Sequence, residues 1–224
     1  MHRIEHQAEH AAAVLDLDQR AEHAGRDAEA GFEILGVGVV ARAVDLRYDD
    51  EGQAWGSHAN MECQIDSIAQ SWSVLSGVKQ GERTFRAMES AYGRLVHEES
   101  RLVQLLDPPF EKSDRDPGYI QSYPPGIREN GGQYTHAAAW LGFAFAKLGE
   151  GDKAWRIFDI INPIGRTSDK QGADHYLIEP YVLPGDVTGG DVLSGRGGWS
   201  WYTGSASWTW KLAVEGICGF ELSN

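Results

Sequence analysis

Apolar residues recur at helical spacing through the middle of the chain and thin out towards its start. Ile65, Ile68, Ala69, Trp72 and Leu75 fall three and four apart, with Gly77 placed to close the run, so a helix is predicted from about Cys63. A second is predicted from Glu82 to about Leu106, carrying Phe85, Met88, Tyr92, Leu95, Leu102 and Leu105. Asp107-Pro108-Pro109 ends it, because proline donates no backbone hydrogen bond. Thr135 to Lys147 and Lys153 to Ile161 read as two further helices around a Gly149-Glu150-Gly151 turn. Ala206 to Phe220 reads as the last, with Ser205 as its candidate N-cap. Phe110 to Gly132 and Gly165 to Gly198 are long glycine- and proline-rich loops, the second broken by the apolar stretch Tyr176 to Leu183. Loops of this length in compact domains tend to carry function.

Residues 1–47 form a distinct lead-in. Glu5 to Ala30 is rich in alanine, glutamate and histidine and has a narrow apolar face, Ala8, Ala12, Val14 and Leu15, that needs a neighbour to pack against. Phe32 to Val44 reads as short strands or a helix tail, and Tyr48 to Gly52 as a turn. From residue 48 to 224, helix pairs separated by long loops predict a mostly α architecture, an α/α toroid whose loops build one rim; plain bundles prefer short connections. No internal repeat, GxGxxG or phosphate-cradling P-loop is present, since the Gly195–Trp199 run GRGGW has no lysine.

Composition narrows the function classes. With 33 acidic and 20 basic residues the formal net charge is −13, which repels phosphodiester backbones and argues against nucleic acid as partner. Any phosphate site must therefore be local. Cys63 and Cys218 form no CxxC pair, so zinc and disulfide-scaffold frameworks fail. His2, His6 and His10 share a helical face but have no acidic partner of known geometry, and no metal is expected. No stretch approaches a membrane span and no apolar h-region follows Met1 to His6, so direct membrane contact is not expected and a cytoplasmic place is. Being part of a larger, membrane-associated protein would change that.

Four constellations can carry chemistry. Tyr123 to Trp140, YPPGIRENGGQYTHAAAW, gathers Arg128, Glu129, Asn130 and His136 just before and within the first turn of a helix. Arg128 can fork two hydrogen bonds to sugar hydroxyls or to a phosphate, while helix-start amides beside His136 favour an anion. Against this stands a loop salt bridge, Arg128 to Glu129, with His136 a satisfied interface histidine. Glu179, in HYLIEPYV, is a general base, a sugar-hydroxyl acceptor or a structural acceptor. Gly195 to Trp210, GRGGWSWYTGSASWTW, offers Trp199, Trp201 and Tyr202 as stacking faces and Thr203, Gly204 and Ser205 as anion donors. Trp208 and Trp210 cannot share a helical face, so at least one belongs to the core. Glu62 and Asp66, four apart, are either a paired-carboxylate site or the decoration of a helix start, the second being preferred.

Ile65–Gly77 (IDSIAQSWSVLSG), YPPGIRENGGQYTHAAAW, YLIEPYV and GRGGWSWYTGSASW together resemble the glycoside phosphorylases of glycoside hydrolase family ninety-four. Among them the phosphorylase-like domain of cyclic β-1,2-glucan synthases is the nearest in kind. The resemblance covers roughly Tyr48 to the end and implies part of an (α/α)6 barrel with long rim loops. It implies β-glucosides or β-1,2-glucan as substrate, inorganic phosphate as nucleophile and co-substrate, inversion at the sugar carbon, and no cofactor. It assigns phosphate binding to His136, Thr203 and Gly204, and places Arg128, Glu129 and Glu179 beside the sugar subsites; Trp199, Trp201 and Tyr202 join them from the residue pattern. The family's general acid is an aspartate in a DWND-like loop, and no such motif stands in this chain. The family's preceding β-sandwich is also unmatched. The chain is therefore expected to be a fragment, a split product or a decayed copy, inactive alone and completed by the rest of the barrel. In that state Ile65, Ile68, Trp72 and the loop aromatics are candidates for bare apolar surface. Two other functions stay open: a non-catalytic β-glucan-binding or scaffolding module, and a hydrolase using Glu62, Asp66 or Glu179 with water.

Overall fold

The computed structural model describes residues 47–48, 52, 54–77, 81–113, 115–190 and 193–221. Residues 1–46, which make up all but the last residue of the 1–47 lead-in and include its three spaced histidines, lie outside the described residues. Helices predominate: α1 (Ser67–Leu75), α2 (Glu82–Leu95), α3 (Thr135–Lys147), α4 (Gly151–Ile161), α5 (Pro163–Arg166), α6 (Lys170–Tyr176) and α7 (Thr203–Lys211), the last running on into a π-helical turn, Leu212–Ile217. Between them lie two-residue strands: β1 (Arg47–Tyr48) with β2 (Ala54–Trp55), β3 (Ile65–Asp66) with β6 (Leu106–Asp107), β4 (Val96–His97) with β5 (Leu102–Val103), and β7 (Gln133–Tyr134) with β8 (Asp186–Val187). Each pair is antiparallel. Among the described residues, no helix is long and apolar enough to cross a membrane.

The core is built around α3. Its sequence, THAAAWLGFAFAK, is apolar on nearly every face, and a helix of that kind must be surrounded. Its alanines let α1, α4 and α7 approach closely. Leu141 and Phe145 meet Ile157, Ile160 and Ile161 of α4 and Leu212 of the π-helical turn. On another side Trp140 packs edge-on against Trp72 of α1, ring centres 5.3 Å apart, and against Trp208 of α7 at 5.6 Å. Ile65 and Trp72, expected as bare surface, are only 1% and 7% exposed. Pairing of β3 with β6 covers the first, and the α3 indole covers the second.

Predicted boundaries move: the helix expected from about Cys63 begins at Ser67, because Ile65 and Asp66 pair as β3. The helix expected to reach Leu106 stops at Leu95, and the chain turns through Glu98–Arg101 into the β4–β5 hairpin. Val96 and Val103 pair across it, as β-branched residues favour, and Arg101 closes the turn at φ +51. The last helix begins at Thr203, capped by extended Tyr202 rather than by Ser205. Ser205 instead lies inside the helix, fully buried. Two short helices, α5 and α6, also occupy part of the loop expected from Gly165.

Asn130 knits the Phe110–Gly132 loop. Its side chain accepts from the Phe110 amide at 2.7 Å and donates to the Phe110 and Tyr123 carbonyls at 2.8 and 2.7 Å. At Gly126 (φ +83) a Cβ would lie 2.6 Å from the Gly189 backbone, and the Gly189 amide donates to the Gly126 carbonyl at 2.7 Å. Only glycine fits there, and the contact ties this loop to the one that follows α6.

Candidate active site

The β7–β8 pair brings the distant loops to one place. Tyr134 stands opposite Asp186 and leads directly into α3. The segment before α7 joins as a partial third strand: Val187 bridges Gly197, the Gly198 amide donates to the Asp186 carbonyl at 2.9 Å, and the Gly185 amide donates to the Trp199 carbonyl at 2.8 Å. The starts of α3 and α7 thus share one rim, with the Arg128 loop beside them.

His136, in the first turn of α3, sits at the bottom. Its ring lies 4.3 Å from that of Trp140 and nearly parallel to Trp208 at 6.2 Å. Burial pushes its pKa down to about 4, so the imidazole is neutral at pH 7. Its Nε2 is buried and has no hydrogen-bond partner among the described residues, although such atoms ordinarily find one. Gly204 is pressed against the same ring: a Cβ there would lie 2.9 Å from Nδ1. Thr203, exposed, precedes it at the first position of α7. The structure therefore brings His136 and Gly204 into contact, with Thr203 next to Gly204 in the chain.

The sugar candidates form two groups. In the first, the Arg128 guanidinium stacks 4.1 Å over Trp199 and 5.1 Å from the Tyr123 ring. Its Nε is 3.7 Å from Glu129. Trp199 lies 6.2 Å from Tyr202, whose hydroxyl shares a 3.1 Å hydrogen bond with Tyr134 and whose ring is 6.3 Å from His136. A continuous line of side chains therefore connects Arg128 to the histidine. In the second group, the Trp201 indole donates to Glu179 at 3.2 Å. Glu179 is held below the usual carboxylate range by its own backbone amide, then by Ser200 and Trp201. Trp208 supplies the core member of its pair, while Trp210 is exposed.

Asp186 was not singled out from the sequence. It is buried on the β7–β8 pair; burial raises its pKa, while Arg128 and the Trp199 amide pull it back. A Cβ on Gly198 would lie 2.2 Å from its carboxylate, so the glycine exists to let the loop close over it. The signal available was a carboxylate before β-branched Val187, between Gly185 and Gly189, a short strand flanked by tight turns. The other carboxylate pair is committed to backbone. Asp66 caps α1, accepting from Ile68 and Ala69 at 2.7 and 3.2 Å, and Glu62 accepts from the Glu111 and Lys112 amides at 3.1 and 2.7 Å. Among the described residues, no three His, Cys, Asp or Glu side chains cluster as metal ligands.

Residues 43–219 match the family model for the catalytic domain of the glycosyl hydrolase 94 superfamily. Cyclic beta-(1,2)-glucan synthase NdvB of Rhizobium meliloti (strain 1021) is 52% identical over 174 residues, 78% of this chain and 6% of that protein. Solabiose phosphorylase of Paenibacillus borealis is 30% identical over 174 residues, 77% of this chain and 22% of that enzyme. N,N'-diacetylchitobiose phosphorylase of Vibrio furnissii is 28% identical over 170 residues, 75% of this chain and 21% of that enzyme. The chain spans less than a quarter of the length of each of these relatives. With the family model covering most of its residues, from ahead of β1 through the π-helical turn, the chain belongs to the glycosyl hydrolase 94 superfamily and carries part of that superfamily's catalytic domain.

Proposed function

We propose that this chain supplies the phosphate-binding side, and part of the sugar-binding side, of an inverting phosphorylase-type site acting on β-glucosides or β-1,2-glucan. The observation that carries it is the buried, unpartnered His136 Nε2 beside Gly204 at the start of α7. A neutral imidazole donating through Nε2, the first amides of α7 and the Thr203 hydroxyl are the donor set an oxyanion requires. Arg128 is shared with Glu129 and Asp186, so its charge is largely answered and it serves sugar hydroxyls better than phosphate. Glu129 and Glu179 accept from hydroxyls, and Trp199, Trp201 and Tyr202 offer ring faces. Phosphate is the nucleophile and co-substrate; no metal or organic cofactor enters. The general acid comes from residues outside this chain, within a barrel that the chain completes.

A ring-nucleus NMR titration of His136 tests this. Added phosphate is expected to raise the pKa of the ring well above about 4, because an anion beside it favours imidazolium. An unmoved titration at saturating phosphate refutes the anion site. Exposure of Trp199 and Trp201 favours a second reading, a glucan-binding module without catalysis. It predicts glucan binding that ignores phosphate altogether.

A further inference from the structure

Trp201 and Tyr202 are neighbours that face opposite ways. Tyr202 turns inward to Tyr134 and His136. Trp201 turns outward, 68% exposed, and meets Tyr181, which is 76% exposed, at 6.3 Å with the rings near perpendicular at 74°. The turn is made by holding Trp201 at φ +61, a conformation that bulky residues rarely adopt. Backbone outliers of this kind gather at functional sites. The indole edge is pinned, since its N–H donates to Glu179, and the ring faces stay open to solvent. Tyr181 takes no part in the line of contacts from Arg128 to His136, so the inner site does not account for it.

We propose that Tyr181, Trp201 and Glu179 form an outer glucosyl subsite, binding a sugar unit of a β-glucan further along the chain than the unit held beside His136. A pyranose ring has an apolar C–H face and a rim of hydroxyls. Two open aromatic faces at an angle, with a carboxylate at the indole edge, match both parts. The carboxylate accepts from its own amide, Ser200 and Trp201, and its roughly four lone-pair positions leave room for a hydroxyl. The neighbouring Trp199–Tyr202 contact makes the surface continuous with the inner site, so one oligosaccharide can lie across both. The subsite deepens the proposed function and rests on it for the nature of the ligand. It makes the preferred substrate an oligosaccharide rather than a disaccharide.

Calorimetric titration of the whole chain with sophorose, β-1,2-glucopentaose and cellopentaose provides the test. The β-1,2-pentaose is expected to bind about threefold to tenfold more tightly than sophorose, as one added aromatic contact gives. Tyr181→Ala should remove that advantage and leave sophorose affinity unchanged. Trp201→Gly, which removes the second ring face and relaxes the backbone, should also weaken pentaose binding. Equal affinity for both β-1,2-saccharides, or equal weakening of both by Tyr181→Ala, overturns the subsite. So does a cellopentaose advantage unaffected by either variant, or absence of saccharide binding while phosphate still shifts His136. If the pentaose advantage stands and His136 ignores phosphate, the subsite survives and the phosphorylase-type function fails.

Discussion

The His136 imidazole is uncharged near neutral pH, because its burial against Trp140 and Trp208 pushes its pKa down to about 4. A bound anion raises that value, so between about 4 and the bound pKa, binding takes up a proton and affinity rises as pH falls. The ring cannot retreat, since indoles flank it. Gly204 is therefore a demanding position: a Cβ at 2.9 Å from Nδ1 and 3.1 Å from Cε1 has to displace the imidazole or the start of α7. Gly204→Ala is expected to weaken phosphate binding by about tenfold or more, which is the loss of roughly 1.4 kcal/mol from one misaligned donor. Calorimetry with phosphate reads the loss, and an unchanged unfolding midpoint shows that the fold survives. Wild-type affinity in Gly204→Ala would mean that the anion, if bound, sits elsewhere.

Asp66 shows how an element start can be stabilised and burdened at once. Its carboxylate accepts two amides of α1, yet burial dominates and pushes its pKa up to about 6 from 3.8. The folded state holds the proton more tightly, so this group's contribution is greatest below about 4 and is lost as pH rises through about 6. Asparagine keeps the accepting oxygen without the charge. Asp66→Asn should match or exceed wild-type stability in urea unfolding at pH 7.5 and lose that advantage at pH 4.5, whereas Asp66→Ala should cost about 0.5–2 kcal/mol at pH 4.5 and less at pH 7.5. A cap in which asparagine is worse than alanine at pH 7.5 would contradict this balance. Other elements differ in how far the letters alone reveal them. The α3 bounds were legible because a run free of proline, Thr135 to Lys147, is bracketed by glycines and polar residues. The hairpin after α2 was not, because Leu95, Leu102 and Leu105 keep helical spacing while the chain reverses between them. The β7–β8 pairing joins residues about fifty positions apart, and local periodicity holds no trace of it. His136, Gly204, Arg128 and Trp199 could be nominated from motifs, but Asp186 gains its meaning only from that pairing.

Taken together, the described residues offer a buried donor suited to an anion and exposed ring faces suited to a sugar, but no evident general acid. Phosphate is already a competent nucleophile and needs orientation more than activation. The difficult event is departure of the sugar alkoxide, and a positioned general acid contributes about 10²–10⁴-fold to such a step, or about 3–5 kcal/mol of barrier. Glu179 is held ionised by its hydrogen bonds, and Asp66 and Glu62 are taken up by backbone amides. Asp186 is the internal candidate, since burial favours its protonated form. Its carboxylate, however, is closed in by Gly198 and accepts from the Trp199 amide, with the Arg128 charge nearby pulling its pKa back down. It is better placed to hold the Trp199 loop and Arg128 in register than to reach a glycosidic oxygen. The chain alone should therefore form no glucose 1-phosphate above background from β-1,2-gluco-oligosaccharides or cellobiose in phosphate buffer. Adding the remainder of a catalytic domain that carries the DWND-like loop should restore turnover, and His136→Ala should then remove it. Robust turnover by the lone chain, abolished by Asp186→Asn while saccharide binding persists, would overturn the expectation and make Asp186 the acid.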